Sequence, residues 1–471
     1  MGKNNSMRPS NGVWLILDSL SYNSTPFASD GPDSMPRFQT LAEDEGVIFS
    51  EAYAPGPFSP SSHASFFTGE LPSTTGMYEA YPFFNSDIPT IADFLSETHR
   101  TSLISVNHFL FQGLERGFDY VNDIGRTYMH FQNASDPKDY SKKYNSDPRL
   151  KRFVDFLRDD GKPFKSVVNG LKYRFGEKNI KPKEWGDERD FQYADTMGEM
   201  ILDQLSSHKD DSFVVANFMD LHGPFDVSDE ALNKFFSDTD RSEIPLGVVP
   251  RRDKLRGEKS YDPAKMYNLY KAAIWDLDRK FTSLVKDLID NDIFVAVCAD
   301  HGWYDTNSAY SDERLHIPVV LFSPEEENRR ISHTVSLRQL PRTTAEVLLG
   351  DGGEFNGPSL LKTESDQVAV SEVVHKPNEI YEKTKRVYVN RPSQGAEPNE
   401  IQRDLVLFKG DAKVQFVDGS CDVIRGDSTI ADELIEQGQN ILDSPINYPD
   451  GDQIMYDERT EDRLKHLGYL S

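Results

Sequence analysis

Ser59 places a hydroxyl nucleophile in the run Ser59-Pro60-Ser61-Ser62-His63-Ala64-Ser65-Phe66-Phe67-Thr68-Gly69, where an extended segment gives way to a helix. Unpaired N–H groups and a partial positive charge make a helix N-terminus a good seat for an anion. A serine there can attack a phosphate or sulfate ester while the helix steadies the charge. The purely structural alternative is that Ser59 caps the helix and Pro60 opens it. Three more polar groups follow apolar runs: Asp18 after residues 13–17, Asp220 and His222 after 213–219, and Asp300-His301 after 293–298. Asp and His together suit Zn²⁺ and similar ions, whereas carboxylates alone suit Ca²⁺ or Mg²⁺. A divalent metal bound to Ser59 would bring its alkoxide within reach of neutral pH and polarise the ester. The chemistry is then displacement at phosphorus or sulfur through a covalent seryl intermediate.

These groups need a scaffold that gathers strand ends on one edge. Residues 13–17, 293–298 and 317–322 are continuously apolar, as buried parallel strands are, and 47–52, 102–106 and 213–219 also read as strands. Helices are expected at 35–44, 88–95, 191–205, 266–288 and 337–349, the last closed by Gly350. Strands alternating with helices predict an α/β chain with a mostly parallel central sheet, whose ligands bind outside the strands' carboxyl ends. Residues 125–185 break the rhythm, with a helix expected at 149–157; in 138–184 there are 14 Lys and Arg against 7 Asp and Glu. This reads as a basic helical insertion in a catalytic domain spanning 1–365. It is either a lid that gathers an anionic polymer or a surface paired with the acidic remainder of the chain. Past residue 365 the runs 368–374, 386–389, 405–409 and 414–417 predict a small antiparallel sheet in a C-terminal α+β subdomain, 366–471, with short helices at 432–437 and 461–467.

The 471 residues carry a formal charge of −26, which disfavours nucleic acid as a partner and fits a surface kept soluble by carboxylates, as in a high-salt cytoplasm. Two cysteines, Cys298 and Cys421, are too few for a disulfide scaffold or a cysteine zinc site. No run approaches the length that spans a membrane, and the N-terminus lacks an apolar signal core, so a cytoplasmic protein is expected. Met1-Gly2 through Ser6 matches a myristoylation pattern, and Asn23 and Asn133 stand in glycosylation sequons.

The order and spacing of these blocks resemble the sulfatase branch of the alkaline phosphatase superfamily. The blocks are Trp14-Leu15-Ile16-Leu17-Asp18, the Ser59 to Gly69 run, Met219-Asp220-Leu221-His222-Gly223-Pro224-Phe225, Ala299-Asp300-His301-Gly302 and His316-Ile317-Pro318-Val319-Val320, together with the ending Leu464-Lys465-His466-Leu467-Gly468-Tyr469-Leu470. The resemblance implies an alkaline-phosphatase-like sheet with helices on both faces. It implies one metal site from Asp18, Asp300, His301 and Ser59. It also implies that Asp220, His222 and His316 either form a second metal site or bind the anion and protonate the leaving group. His63 and Asn107 stand where family members touch the anion. The cofactor would be one or two divalent ions among Zn, Ca, Mn and Mg, and the substrate a small or polymeric anionic ester such as a glycan ester.

Two departures stand out. The maturation motif that yields formylglycine reads Cys/Ser-x-Pro/Ala-x-Arg; here Ser61 holds the Pro position and His63 replaces the Arg, which argues for an unmodified Ser59. The family's paired Asp after the first strand is here Asp18-Ser19. Both shift the expectation toward a phosphatase-like or phosphodiesterase-like site with serine as nucleophile. Competing readings are a phospho- or sulfo-group transferase and a non-catalytic anion-binding protein on a degenerate site. A Ser-His-Asp hydrolase is disfavoured because Ser59 lacks a Gly-x-Ser-x-Gly elbow.

Overall fold

The computed structural model describes residues 8–78, 81–124, 194–207, 210–225, 227–237, 239–248, 261–303, 308–375 and 401–447. The basic insertion at 125–185, the strand expected at 386–389, the helix expected at 461–467 and the C-terminal motif lie outside them.

The strands are β1 (Gly12–Leu17), β2 (Val47–Phe49), β3 (Ala52–Tyr53), β4 (Arg100–Ser105), β5 (Tyr120–Asp123), β6 (Ser212–Phe218), β7 (Phe294–Cys298), β8 (Val319–Phe322), β9 (Arg329–Ile331), β10 (Val335–Ser336), β11 (Ala369–His375), β12 (Gln402–Lys409), β13 (Ala412–Val417) and β14 (Ser420–Arg425). Eight form the central sheet in the order β5-β4-β6-β1-β7-β8-β2-β9. All run parallel except β8, which is antiparallel to both β7 and β2. β1 lies between β6 and β7 and is buried along its whole length, which is why it reads as one apolar run. In register, Leu17 is opposite Phe218 and Ile16 is opposite Cys298. The residues just past these strands, Asp18, Asp220 and Asp300, therefore emerge on one edge.

Two helices brace that edge. Pro263–Ile289, capped by Asp262, buries Leu269, Tyr270, Ile274 and Phe281 against the sheet core. Ser59–Thr68 is buried at every position and ends at Gly69, whose φ of 79° suits a residue without Cβ. Trp14 of β1 packs edge-on to Phe67 (5.8 Å between centroids) and against Phe66 (6.1 Å) of this helix. Burying such a ring contributes roughly 2–3 kcal/mol, so the helix is fixed to the central strand.

The second sheet, β11-β12-β13-β14, is antiparallel, with the helix Ser428–Asp443 packed against β12 and β13. That helix is longer than the 432–437 stretch expected from sequence: Asp427 caps it and its apolar face, Ala431 and Leu434, is buried. β11 reaches the nucleophile segment, where the Glu372 N–H donates to the Pro55 carbonyl (2.8 Å) and Val373 packs on Phe58. No helix among the described residues is long and apolar enough to cross a membrane.

Candidate active site

Ser59 is the first residue of its helix, not its cap. The cap position is Phe58, with no side-chain cap bond, so the capping role weighed from sequence is not what the Ser59 side chain does. Its Oγ lies 3.3 Å from His301 Nε2. His301 Nδ1 is 2.8 Å from the Gly302 carbonyl, an acceptor only, so the ring proton sits on Nδ1 and Nε2 presents a lone pair to Ser59 and to Asp300 Oδ2, also 3.3 Å away. Burial pushes the His301 pKa well below the usual range. Arg314 and His63 add to that effect, and Asp18 opposes it. A neutral imidazole with an exposed lone pair is the form that ligates metal.

Asp300 is wholly buried. Its Oδ1 accepts the N–H groups of Ser19 (3.0 Å) and His301 (2.8 Å), while Oδ2 has no hydrogen-bond partner. Ser19 meets it from a φ of 67°, a left-handed conformation that costs a non-glycine residue about 1–2 kcal/mol. Serine thus stands at the second position of the family's Asp pair and contributes a backbone N–H. Asp18, also wholly buried, accepts the Ser19 hydroxyl on Oδ1 (3.0 Å) and the amides of Asn107 (2.8 Å) and Asn217 (3.4 Å) on Oδ2. No Lys or Arg among the described residues forms an ion pair with Asp18 or Asp300. Ligand atoms of Asp18, Asp300 and His301 lie within 4.8 Å of one another. Two adjacent buried carboxylates, one with an orphaned oxygen, together with a neutral imidazole, form a donor set that fits a divalent cation.

The structure divides the remaining candidates. Asn107 joins the centre through Asp18. His222 is buried and its Nδ1 is 3.1 Å from the Gly223 carbonyl. Burial lowers its pKa, opposed by the charges of Asp18 and Asp300, while Arg314 lowers it further. Asp220 follows β6 but does not join the converging ligand atoms. His63 spends both ring nitrogens inside the protein, Nδ1 on the Ser59 carbonyl (2.8 Å) and 3.7 Å from Asp300 Oδ2, and Nε2 facing the Asn217 amide (3.3 Å). His316 does not join the converging ligand atoms. Its Nε2 meets the Ser50 carbonyl (2.7 Å) and its ring is stacked between Tyr22 and Tyr53 (4.1 and 5.0 Å). The chain leaves the short helix Asp312–Leu315 straight into a bridge with Tyr53, and that pins the ring there.

Two residues in the centre were not singled out from sequence. Arg314, two places before His316, is buried, with Nη1 3.3 Å from the Gly302 carbonyl and its guanidinium over the Phe58 ring. A Cβ on Gly302 would lie 1.8 Å from the Glu313 carbonyl oxygen, so only glycine lets this segment approach. Asn217 is the second, and its signal was available: a polar side chain inside the apolar run of β6.

The Sulfatase family profile matches residues 10–350, which includes every residue of this centre. The chain belongs to the sulfatase family. A curated Sulfatase of Formosa agariphila is 35% identical over 72 residues, 15% of this chain and 14% of that protein's length. Among solved structures, the phosphonate monoester hydrolase of Agrobacterium radiobacter superposes with a TM-score of 0.59 at 14% identity, covering 92% of this chain and 95% of its own. A protein bound to its substrate D-glucosamine-2-N,6-O-disulfate gives 0.58 at 13% identity over 98% of both chains. Ps i-CgsB bound to k-i-k-neocarrahexaose gives 0.56 at 15% identity, again over 98% of both. At these identities the superpositions establish the sulfatase fold.

Proposed function

We propose that this sulfatase-family chain is a metal-dependent hydrolase of sulfate or phosphate esters in which unmodified Ser59 is the nucleophile. The observation that carries this reading is the convergence of Ser59 Oγ, His301 Nε2 and the orphaned Asp300 Oδ2. Asp18, Asp300, His301 and the Ser59 hydroxyl would hold the divalent ion. Bound there, such an ion lowers the pKa of the hydroxyl and offsets the negative charge of the ester. Ser59 Oγ gives up its proton and bonds to sulfur or phosphorus, the bond from that atom to the alcohol oxygen breaks, and a proton is returned to that oxygen so that the alcohol leaves neutral. Water then displaces Ser59, releases the inorganic anion and restores the hydroxyl. Arg314 supplies a fixed positive charge to the anion, and Asn107 aligns Asp18. His222, its Nδ1 committed to Gly223, exchanges the proton at Nε2. The sugar ligands of two structural relatives support an ester borne on a glycan as the substrate class.

Mass mapping of the Ser59 peptide, together with kinetics of Ser59→Ala on aryl sulfate and aryl phosphate esters, tests this. The expected result is an unmodified serine and a fall in kcat of roughly 10³-fold or more. A peptide two hydrogens lighter, the mark of formylglycine, or an active Ser59→Ala variant would overturn it.

A further inference from the structure

The bonds around residue 63 form a closed chain of donors and acceptors. Asp18 Oδ2 only accepts, so the Asn217 group facing it at 3.4 Å is the NH₂ end of the amide. The other end, Oδ1, takes the Ser105 hydroxyl at 3.4 Å, consistent with that orientation. The same NH₂ lies 3.3 Å from His63 Nε2 and cannot accept from it, so Nε2 must carry the lone pair. The ring proton is then on Nδ1, where the Ser59 carbonyl receives it at 2.8 Å. The opposite tautomer would set two donors face to face and leave the Ser59 carbonyl without its side-chain bond.

We infer that Asn217 is a positioning residue that fixes His63 in the Nδ1–H tautomer, joining the peptide of the Ser59 nucleophile to the carboxylate of Asp18 through one amide. The segment is built for it. Asn217 is paired in register with Ser105 on β4 and with Ile16 on β1, and Ser105 Oγ in turn accepts the Asn107 N–H at 2.8 Å. Residue 63 therefore acts on the nucleophile helix from within and does not substitute for the arginine of the family motif as an anion ligand. The catalytic consequence rests on the reading of Ser59 as nucleophile; the tautomer itself does not.

The test is ¹⁵N NMR of the full chain labelled at histidine, metal-free and metal-loaded, with the His63 signals assigned by their loss in His63→Gln. The wild type is expected to show a protonated Nδ1 and a bare Nε2. In Asn217→Asp, whose carboxylate can only accept, Nε2 is expected to gain a proton beside the one that Nδ1 gives to the Ser59 carbonyl. Asn217→Leu is expected to lower kcat about tenfold with little change in KM, as loss of alignment does. A wild-type His63 protonated at Nε2, or at both nitrogens, overturns the inference, as does an Asn217→Asp spectrum identical to wild type. If the Asp variant does not fold, the wild-type spectrum decides alone. Activity in Ser59→Ala beside an Nδ1–H His63 would remove the nucleophile reading and leave this one standing.

Discussion

At Asp18 and Asp300 the chain buries two carboxylates side by side, without a Lys or Arg partner among the described residues; Asp300 Oδ2 makes no hydrogen bond and faces only the rings of His301 (3.3 Å) and His63 (3.7 Å). At Glu372, on β11, it buries one carboxylate and surrounds it with compensation. Oε2 accepts the Ser73 N–H at 2.6 Å, and Oε1 lies 3.4 Å from Arg403 Nη1 as an ion pair, while that nitrogen donates its hydrogen bonds to the Ile441 carbonyl (2.7 Å) and the Ser444 hydroxyl (3.1 Å). Burial is equal, so burial alone does not mark a functional acid. The difference is whether the protein supplies the counter-charge. Glu372 Oε1 makes no hydrogen bond either, but the Arg403 guanidinium faces it as a counter-charge, and Glu372 ties the second sheet to the helix that follows the nucleophile helix. The Asp18–Asp300 pair is incomplete and asks for a cation.

The comparison breaks most sharply at Asp300→Asn. The amide oxygen keeps the bonds from Ser19 and His301, and the NH₂ replaces the orphaned oxygen. Turnover should fall by roughly 10³-fold or more. The metal-free variant should nonetheless unfold at a temperature no lower than the metal-free wild type, because one of two facing charges is gone. Paired thermal melts with and without chelator check this. Arg403→Met should behave oppositely, losing about 3 kcal/mol in urea unfolding whether or not chelator is present. Arg314→Ala should lower kcat/KM by about 10²-fold, with bound metal unchanged by elemental analysis.

The smallest effect sits at Glu372→Gln. Burial raises the Glu372 carboxyl above its ordinary value, and Arg403 and the Ser73 N–H only partly oppose it. The folded state thus favours the protonated form. That contribution is complete below the ordinary carboxyl range and is lost as pH rises through the folded value. Wild type should therefore lose stability relative to the Gln variant between acidic and neutral pH. Urea midpoints at two pH values suffice; a flat difference would mean that Arg403 balances burial, and a gain in stability with rising pH that it outweighs burial.

The strand-end groups Asp18, Asp300, His301 and the Ser59 turn were legible because apolar runs ending in polar residues define one edge of a parallel sheet. That β1, β6 and β7 run parallel followed from the same runs, whereas their order in the sheet did not. What sequence did not convey is local: the His316 ring is stacked between Tyr22 and Tyr53, and Arg314, on the short helix before it, is buried beside Gly302. β5, β9 and β14 escaped notice because they are short or, like β14, exposed at every position, so they carry no alternation of apolar and polar residues. The reversed direction of β8 is set by pairing, which its apolar run does not encode.

In the function proposed for this chain, Asp18, Asp300 and His301 together with Ser59 hold a divalent ion. Elemental analysis of wild type and Asp300→Asn, dialysed side by side against Zn²⁺, Ca²⁺, Mn²⁺ and Mg²⁺, tests it most directly. Wild type is expected to retain a single ion and the variant none. Equal metal content in the two proteins would contradict it.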